Sequence, residues 1–209
     1  MSESGLLLLV VGPSGCGKTT VSREVMARLP EVRFSVSCTT RPARDGEVDG
    51  VDYFFVDEPT FLQRVNDGEF LEHAVVHGNY YGTLREQVSS AVAGGAVVLL
   101  DIDVQGARQI REAGDDAVSL FILPPSMDAL ESRLRGRATD SDEVIAGRLA
   151  IARTEMSEAP VFDYLLVNDD LNEAVSKFLA VIAAERLRSD RDRICEQFGL
   201  DRNGASAHR

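Results

Sequence analysis

Short apolar runs recur along the chain and are separated by polar and amphipathic segments. The runs cover Leu6 to Val11, Ala96 to Leu100, Val118 to Leu123 and Tyr164 to Val167. Because helical stretches alternate with these runs, the pattern predicts a parallel sheet covered by helices, which is an α/β fold. Apolar positions from Leu171 to Arg188 recur at helical spacing and predict a final helix that packs one face on the sheet.

Two segments interrupt the alternation and predict insertions into a single domain. Residues 35–87 are polar, glycine-rich and strand-like in pattern, which predicts a β-rich subdomain. Residues 126–159 are helical in pattern and rich in arginine, and they follow a double proline, which predicts a mobile helical flap. The other ranges are the expected core, at about 1–34, 88–125 and 160–198, and a polar tail at about 199–209.

Composition narrows the possible functions. Of the 209 residues, 44 % are hydrophobic and 27 % are charged, a balance typical of soluble domains. The formal net charge of −12 argues against a nucleic-acid partner, so an anionic ligand needs local basic clusters. The first apolar run is too short to span a membrane and lacks the basic flank of a signal peptide. Cys16, Cys38 and Cys195 suggest no disulfide framework, so we expect a cytoplasmic protein; its oligomeric state is left open.

The segment Gly12 to Thr19 fits the phosphate-binding pattern G-x-x-x-x-G-K-[ST]. It follows an apolar strand and precedes the helical stretch Val21 to Leu29, which is the context that the motif requires. Lys18 is expected to neutralise the β- and γ-phosphates of ATP, and the Thr19 hydroxyl to ligate Mg²⁺. A glycine-rich turn without a ligand is the alternative. The expected ATP-binding residues here are Gly12, Pro13, Ser14, Gly15, Cys16, Gly17, Lys18, Thr19 and Thr20.

Two carboxylates follow the apolar run that ends at Leu100. Asp101 and Asp103 would reach the same edge of a parallel sheet as the phosphate-binding loop. One of them, with Asp101 preferred, is expected to hold a water molecule on Mg²⁺. A pair of solvated strand-end acids is the alternative.

Several further motifs closely resemble those of the guanylate kinase family. They are SCTTRPARDGE at 37–47, DGVDY at 49–53, FLE at 70–72, GNYYGT at 78–83 and LDIDVQG at 100–106. The resemblance runs from about Leu7 to Phe178. It implies a core with a phosphate-binding loop, a GMP-binding subdomain at about 35–87 and a helical lid at about 126–159. The implied reaction transfers the γ-phosphoryl group of ATP to GMP, or to dGMP, with Mg²⁺ as cofactor.

The resemblance assigns the acceptor site to residues of the predicted β-rich subdomain. Arg41 and Arg44 would bind the GMP phosphate through their planar guanidinium groups, with the phenols of Tyr53 and Tyr81 as further donors. Without the family, the alternative is that Arg41 and Arg44 are a solvated pair that flanks Pro42.

The same resemblance assigns guanine recognition to Glu72. Guanine presents N1–H and an exocyclic amino group as adjacent donors, and one carboxylate can accept both. Adenine has an acceptor at N1, so a buried carboxylate would reject it. Ser37, Thr83 and Asp103 match the remaining guanine contacts of the family.

The arginine-rich segment resembles the lid of the family. The resemblance places Arg137 and Arg148 on ATP and the transferring phosphoryl group, whereas Arg133 and Arg135 are expected on a solvated helix face. Asn168 matches a segment near adenine and is expected to contact that base. The resulting catalytic set is Lys18, Arg41, Arg137 and Arg148.

Two other functions compete with this one. A related kinase that acts on a ribose phosphate would share the loop but would have no base for Glu72 to recognise. A non-catalytic guanylate-kinase-like scaffold would generally have lost the loop, whereas Lys18 and Thr19 are present. The Cys16 thiol is either a passive small side chain or, with its pKa lowered by the loop, an oxidisable group.

Overall fold

The computed structural model describes residues 5–76, 78–136 and 141–198, and over these ranges nine strands and seven α-helices are present. The strands are β1 (Leu6–Val11), β2 (Val32–Phe34), β3 (Cys38–Thr39), β4 (Phe54–Phe55), β5 (Phe70–Val76), β6 (Asn79–Leu84), β7 (Val97–Asp101), β8 (Val118–Leu123) and β9 (Tyr164–Val167). The helices are α1 (Lys18–Arg28), α2 (Glu58–Asn66), α3 (Arg85–Ala93), α4 (Val104–Glu112), α5 (Met127–Arg135), α6 (Asp142–Ser157) and α7 (Leu171–Gln197), with a 3-10 turn at Ala159–Val161.

The core is a five-stranded sheet in the order β2-β7-β1-β8-β9, and all its neighbouring strands are parallel. The central strand β1 is buried along its whole length because helices cover both faces of the sheet. The predicted α/β fold is confirmed, including the four predicted strands. The edge strand β2 was not predicted, because three residues with an exposed Arg33 at the centre give no periodic signal.

A second sheet of four strands, in the order β4-β3-β6-β5, lies between β2 and α3 in the chain. It has its own small core, in which Phe61 of α2 stacks on Phe70 with ring centroids 4.5 Å apart. This sheet falls within residues 35–87, where the sequence predicts a β-rich subdomain; the bounds of that subdomain stay a prediction. The arginine-rich insertion forms α5 and α6, which pack on each other through a third hydrophobic cluster.

The C-terminal helix α7 covers the core sheet through an apolar stripe. Val175, Phe178 and Ile182 are buried against the sheet, as the helical spacing predicts. The helix continues nine residues beyond the predicted end at Arg188 and reaches Gln197. Among the described helices, none combines the length and the apolarity that crossing a bilayer requires.

We predict that Phe178→Ala lowers the free energy of unfolding by about 3–5 kcal/mol, because it leaves a cavity where a fully buried ring packs. Leu187→Ala on the same helix removes a side chain that is 72 % exposed and should change that free energy by less than about 0.5 kcal/mol. Urea unfolding measures both values. Equal effects of the two substitutions would contradict the docking of α7 on the sheet.

Candidate active site

The phosphate-binding loop joins the end of β1 to the start of α1. Gly15 and Gly17 have φ angles of 89° and 97°, a left-handed conformation that side chains other than glycine rarely adopt. The N-terminus of α1 therefore opens onto the loop, where it favours an anion. The Lys18 ammonium lies over the loop and donates to the carbonyl of Gly12 at 2.6 Å. A cleft of about 370 Å³ surrounds these groups.

Asp101 lies beside this loop because β7 pairs directly with β1. The hydroxyl of Thr19 donates to Asp101 Oδ2 at 3.3 Å, and Lys18 Nζ lies 3.9 Å from Asp101 Oδ1. The pKa of the Asp101 carboxyl is raised, because the effect of desolvation exceeds the lowering by Lys18 and by the hydrogen bond from Thr19. Asp103 has a different environment, because its Oδ1 accepts from Gly106 N at 2.8 Å and caps α4. Of the two candidate acids, Asp101 is therefore the one that meets the Thr19 hydroxyl.

A hydrogen-bonded network supports the loop from behind. Arg133 of α5 donates to the carbonyl oxygens of Cys16, at 3.2 Å, and Asn168, at 2.9 Å. The side-chain amide of Asn168 donates to the same Cys16 carbonyl at 2.8 Å. Gly17 permits this arrangement, since a Cβ there would lie 2.3 Å from Asn168 Nδ2. The expectation of a solvated Arg133 is wrong, because its guanidinium bridges loop and strand end; the contact of Asn168 with adenine stays a prediction.

Cys16 contributes only its backbone to the loop. Its side chain is fully buried in the core and does not line the cleft. Burial raises the pKa of the thiol, and this effect exceeds the lowering by Lys18. The structure therefore favours the passive role for Cys16 over the oxidisable one.

The acceptor-phosphate residues meet around Arg41. Its guanidinium forms a bidentate pair with Glu47, at 2.8 and 3.0 Å, and lies 5.3 Å from the centre of the Tyr53 ring. The hydrogen bonds to Glu47 raise the pKa of the Arg41 guanidinium most, and the contact with Tyr81 raises it further. Glu47 also accepts from the backbone N–H of Arg44 at 2.7 Å, so one carboxylate fixes both arginine segments.

The sequence prediction did not include Glu47. It is the last residue of the family-like motif at 37–47, three residues after Arg44 and six after Arg41, but the motif alone assigned it no role. Arg44 itself is exposed, and its backbone rather than its guanidinium makes the contact with Glu47.

The predicted base-recognition residues also come together. Glu72 is buried, with 7 % of its surface exposed, and its Oε1 accepts from the Thr83 hydroxyl at 2.6 Å. Burial raises the pKa of Glu72, and Asp103 raises it further, while Thr83 lowers it. Ser37 lines the adjoining cleft together with Tyr53 and Thr83.

This second cleft has a volume of about 620 Å³ and meets the first. Both are lined by Thr19, Asp101 and Ile102. The phosphate-binding loop and the three predicted acceptor residues that line the second cleft therefore face each other across one shared wall, which carries the candidate metal ligands. Arg41 and Glu72 are not among the residues that line this cleft.

The helical insertion adds a carboxylate that the sequence prediction missed. Glu155 of α6 lines the loop cleft, and its pKa is raised by desolvation and by Asp103 and lowered by Lys18. Arg148 lies two helical turns earlier on the same face of α6 and is half-buried. Arg135 pairs with Glu131 and Asp142 at the surface. Arg137 lies outside the described residues.

Several known proteins that are similar to this chain in sequence and structure are guanylate kinases. The guanylate kinase family model matches residues 4–185. A guanylate kinase of Symbiobacterium thermophilum is 52 % identical over 188 residues, which cover 90 % of this chain and 89 % of the relative. One of Rhodopseudomonas palustris is 51 % identical over 202 residues, covering 96 % and 90 %. The crystal structure of guanylate kinase from Anaplasma phagocytophilum superposes with a TM-score of 0.72 at 34 % identity, covering 97 % of this chain and 99 % of that one.

We predict that iodoacetamide modifies Cys195 of the native protein well before Cys16 or Cys38. Cys195 is partly exposed, whereas Cys16 and Cys38 are fully buried and have raised pKa values. Mass spectrometry of peptides after timed alkylation at pH 8 measures the three rates. Reaction of Cys16 at the rate of Cys195 would restore the oxidisable role.

Proposed function

The chain belongs to the guanylate kinase family, and we propose that it transfers the γ-phosphoryl group of ATP to GMP through the residues described above. The meeting of the two clefts at Thr19 and Asp101 carries this proposal. The first cleft contains the phosphate-binding loop, and the second is lined by Ser37, Tyr53 and Thr83 of the predicted acceptor site, so the donor and acceptor phosphates would meet at the shared wall.

The donor half of the site suits ATP with Mg²⁺. Loop N–H groups and the N-terminus of α1 would surround the phosphates, and Lys18 would move from the Gly12 carbonyl to the β- and γ-oxygens. The Thr19 hydroxyl and, through water, Asp101 would hold Mg²⁺, which fits the preference of this ion for oxygen ligands. When bound, the ion neutralises charge on the β- and γ-phosphates. Asn168, whose amide donates to the carbonyl of Cys16 in the loop, would contact the adenine base.

The acceptor half suits GMP. Arg41, Arg44, Tyr53 and Tyr81 would bind its phosphate, with Arg41 already oriented by Glu47. Glu72 would accept the two guanine donors through its carboxylate oxygens, of which Oε1 also accepts from the Thr83 hydroxyl. Ser37, Thr83 and Asp103 complete the base contacts. The same groups would accept dGMP, since none of these proposed contacts uses the 2′-hydroxyl.

The chemistry needs alignment and charge stabilisation but no catalytic base. The acceptor phosphate has a second pKa near 6, so at neutral pH its oxygen already carries the charge with which it attacks the γ-phosphorus. The bond from that phosphorus to the β–γ bridging oxygen breaks, and ADP leaves with the charge. Lys18, Arg137 and Arg148 stabilise the transferring group, and closure of the helical lid excludes water that would otherwise hydrolyse ATP.

The two competing functions fit the site less well. A ribose phosphate offers no pair of donors to a buried Glu72, which would lose hydrogen bonds on binding it. A peptide-binding scaffold would not need Lys18 and Thr19 arranged at Asp101. We place the reaction in the cytoplasm, where both nucleotides are available.

We predict that Glu72→Gln lowers kcat/KM for GMP by about a hundredfold, because a glutamine oxygen and amide cannot accept both guanine donors. Coupled ADP-release kinetics over GMP, dGMP, AMP, UMP and ribose 5-phosphate measure the preference. The native enzyme should also lose GMP affinity as the pH falls through the raised pKa of Glu72, more than the variant does.

Glu69→Gln is the matched control for this substitution. Glu69 lies three residues earlier, is exposed and pairs with Arg64 outside both clefts. An unchanged preference for GMP in the Glu72 variant would eliminate Glu72 as the residue that recognises guanine.

We predict that Glu47→Gln raises the KM for GMP about fivefold to tenfold and leaves kcat and the KM for ATP within about twofold, because the charge-assisted pair that orients Arg41 is lost. Glu31→Gln serves as control, since it breaks a comparable pair with Arg186 away from both clefts. Equal losses for ATP and GMP would show that Glu47 acts on the fold and not on the acceptor site.

A further inference from the structure

Building on the proposed function, we propose that Gln109 is a positioning residue for guanine recognition. Its side chain fixes the strand that carries Glu72, and it does not line either cleft. The inference follows from one paired contact and from the face of α4 on which that contact lies.

The paired contact joins Gln109 to the backbone of His73. Gln109 Oε1 accepts from His73 N at 3.0 Å, and Gln109 Nε2 donates to His73 O at 2.9 Å. β5 is an edge strand of the second sheet, so its outward backbone groups have no strand partner there. The amide of Gln109 therefore acts as a two-bond substitute for a neighbouring strand, at the residue next to Glu72.

The face of α4 that carries Gln109 also contacts the base-recognition residues. Asp103, Gly106 and Gln109 are three residues apart and so follow one face of the helix. Asp103 caps α4 through Gly106 N and also raises the pKa of Glu72. A Cβ on Gly106 would lie 3.0 Å from Glu72 Oε2, so the glycine lets the carboxylate approach the helix closely.

This arrangement places Glu72 by contacts on two sides. Gly106 lets the carboxylate approach α4 closely, and the two hydrogen bonds of Gln109 fix the position of β5 along the same helix. Hydrogen bonds weaken steeply when their angles depart from linearity, so a shift of β5 would degrade the two bonds to guanine together. It would affect the donor half, which is built on β1 and β7, much less.

Gln109→Met tests this role, because methionine has similar length and helix propensity but makes neither hydrogen bond. We expect the KM for GMP to rise about tenfold, the effect of leaving the His73 backbone groups unpaired. IMP keeps N1–H but lacks the exocyclic amino group. Its KM should rise less, so that the preference for GMP over IMP falls, while the KM for ATP stays unchanged.

Gln63→Met is the matched control, since Gln63 lies on α2 of the same subdomain and its side-chain amide donates to Asp67 at the surface. If Gln109→Met does not fold, Gln109→Glu replaces it. That variant retains the acceptor for His73 N but sets a carboxylate oxygen against His73 O, so its preference for GMP over IMP should also fall.

Suppose that the native enzyme prefers GMP and that the folded Gln109 variant has the same ratio of the KM for IMP to the KM for GMP. This result overturns the inference and leaves the proposed function intact. So does a loss of kcat, GMP affinity and ATP affinity in equal proportion, which would indicate a purely structural role. If the native enzyme itself shows no preference for GMP, the proposed function fails first and the inference with it.

Discussion

The parallel pairing of β1 with β7 is the interaction on which the site depends. Its register sets Val10 opposite Asp101, so the phosphate-binding loop and the strand-end carboxylate emerge side by side at one edge of the sheet. The Thr19 hydroxyl, the Lys18 ammonium and Asp101 then meet without further adjustment. Because both faces of β1 are buried, a one-residue slip in register would exchange side chains between two closely packed clusters and is disfavoured.

The acceptor half has no such shared strand, since its sheet is separate from the core sheet. Side chains must therefore attach it to the core and hold its charges in place. Gln109 and Gly106 set the approach of β5 to α4, and Glu47 orients Arg41. These contacts break more easily than a buried ladder, so we expect the second sheet to move relative to the core more readily than the core strands move relative to one another.

How far the sequence predicted this structure depended on the range of each signal. The four long core strands and the loop are local patterns, and they were predicted correctly. Arg133 was misjudged because its partner Cys16 lies 117 residues away, and Gln109 gave no signal because His73 lies 36 residues away. The resemblance to a family supplied the proposed ligand-binding residues, but it assigned no role to the side chains that support them. Such contacts follow from the packing of α4 and α5, which no periodicity encodes.

A chain with a net charge of −12 that binds two anionic nucleotides must prevent its carboxylates from repelling them. The surroundings of each carboxylate give it a different role. Glu47 pairs with Arg41 and has a lowered pKa, so it stays charged and holds a cation ready. Glu72 is buried beside Thr83 with a raised pKa, so its charge is stabilised best by a ligand that supplies donors. Guanine supplies them, and adenine at N1 does not. In the proposed function, selectivity for the base and affinity for the phosphate would therefore arise from the same residue type in opposite surroundings, which allows each to change without the other.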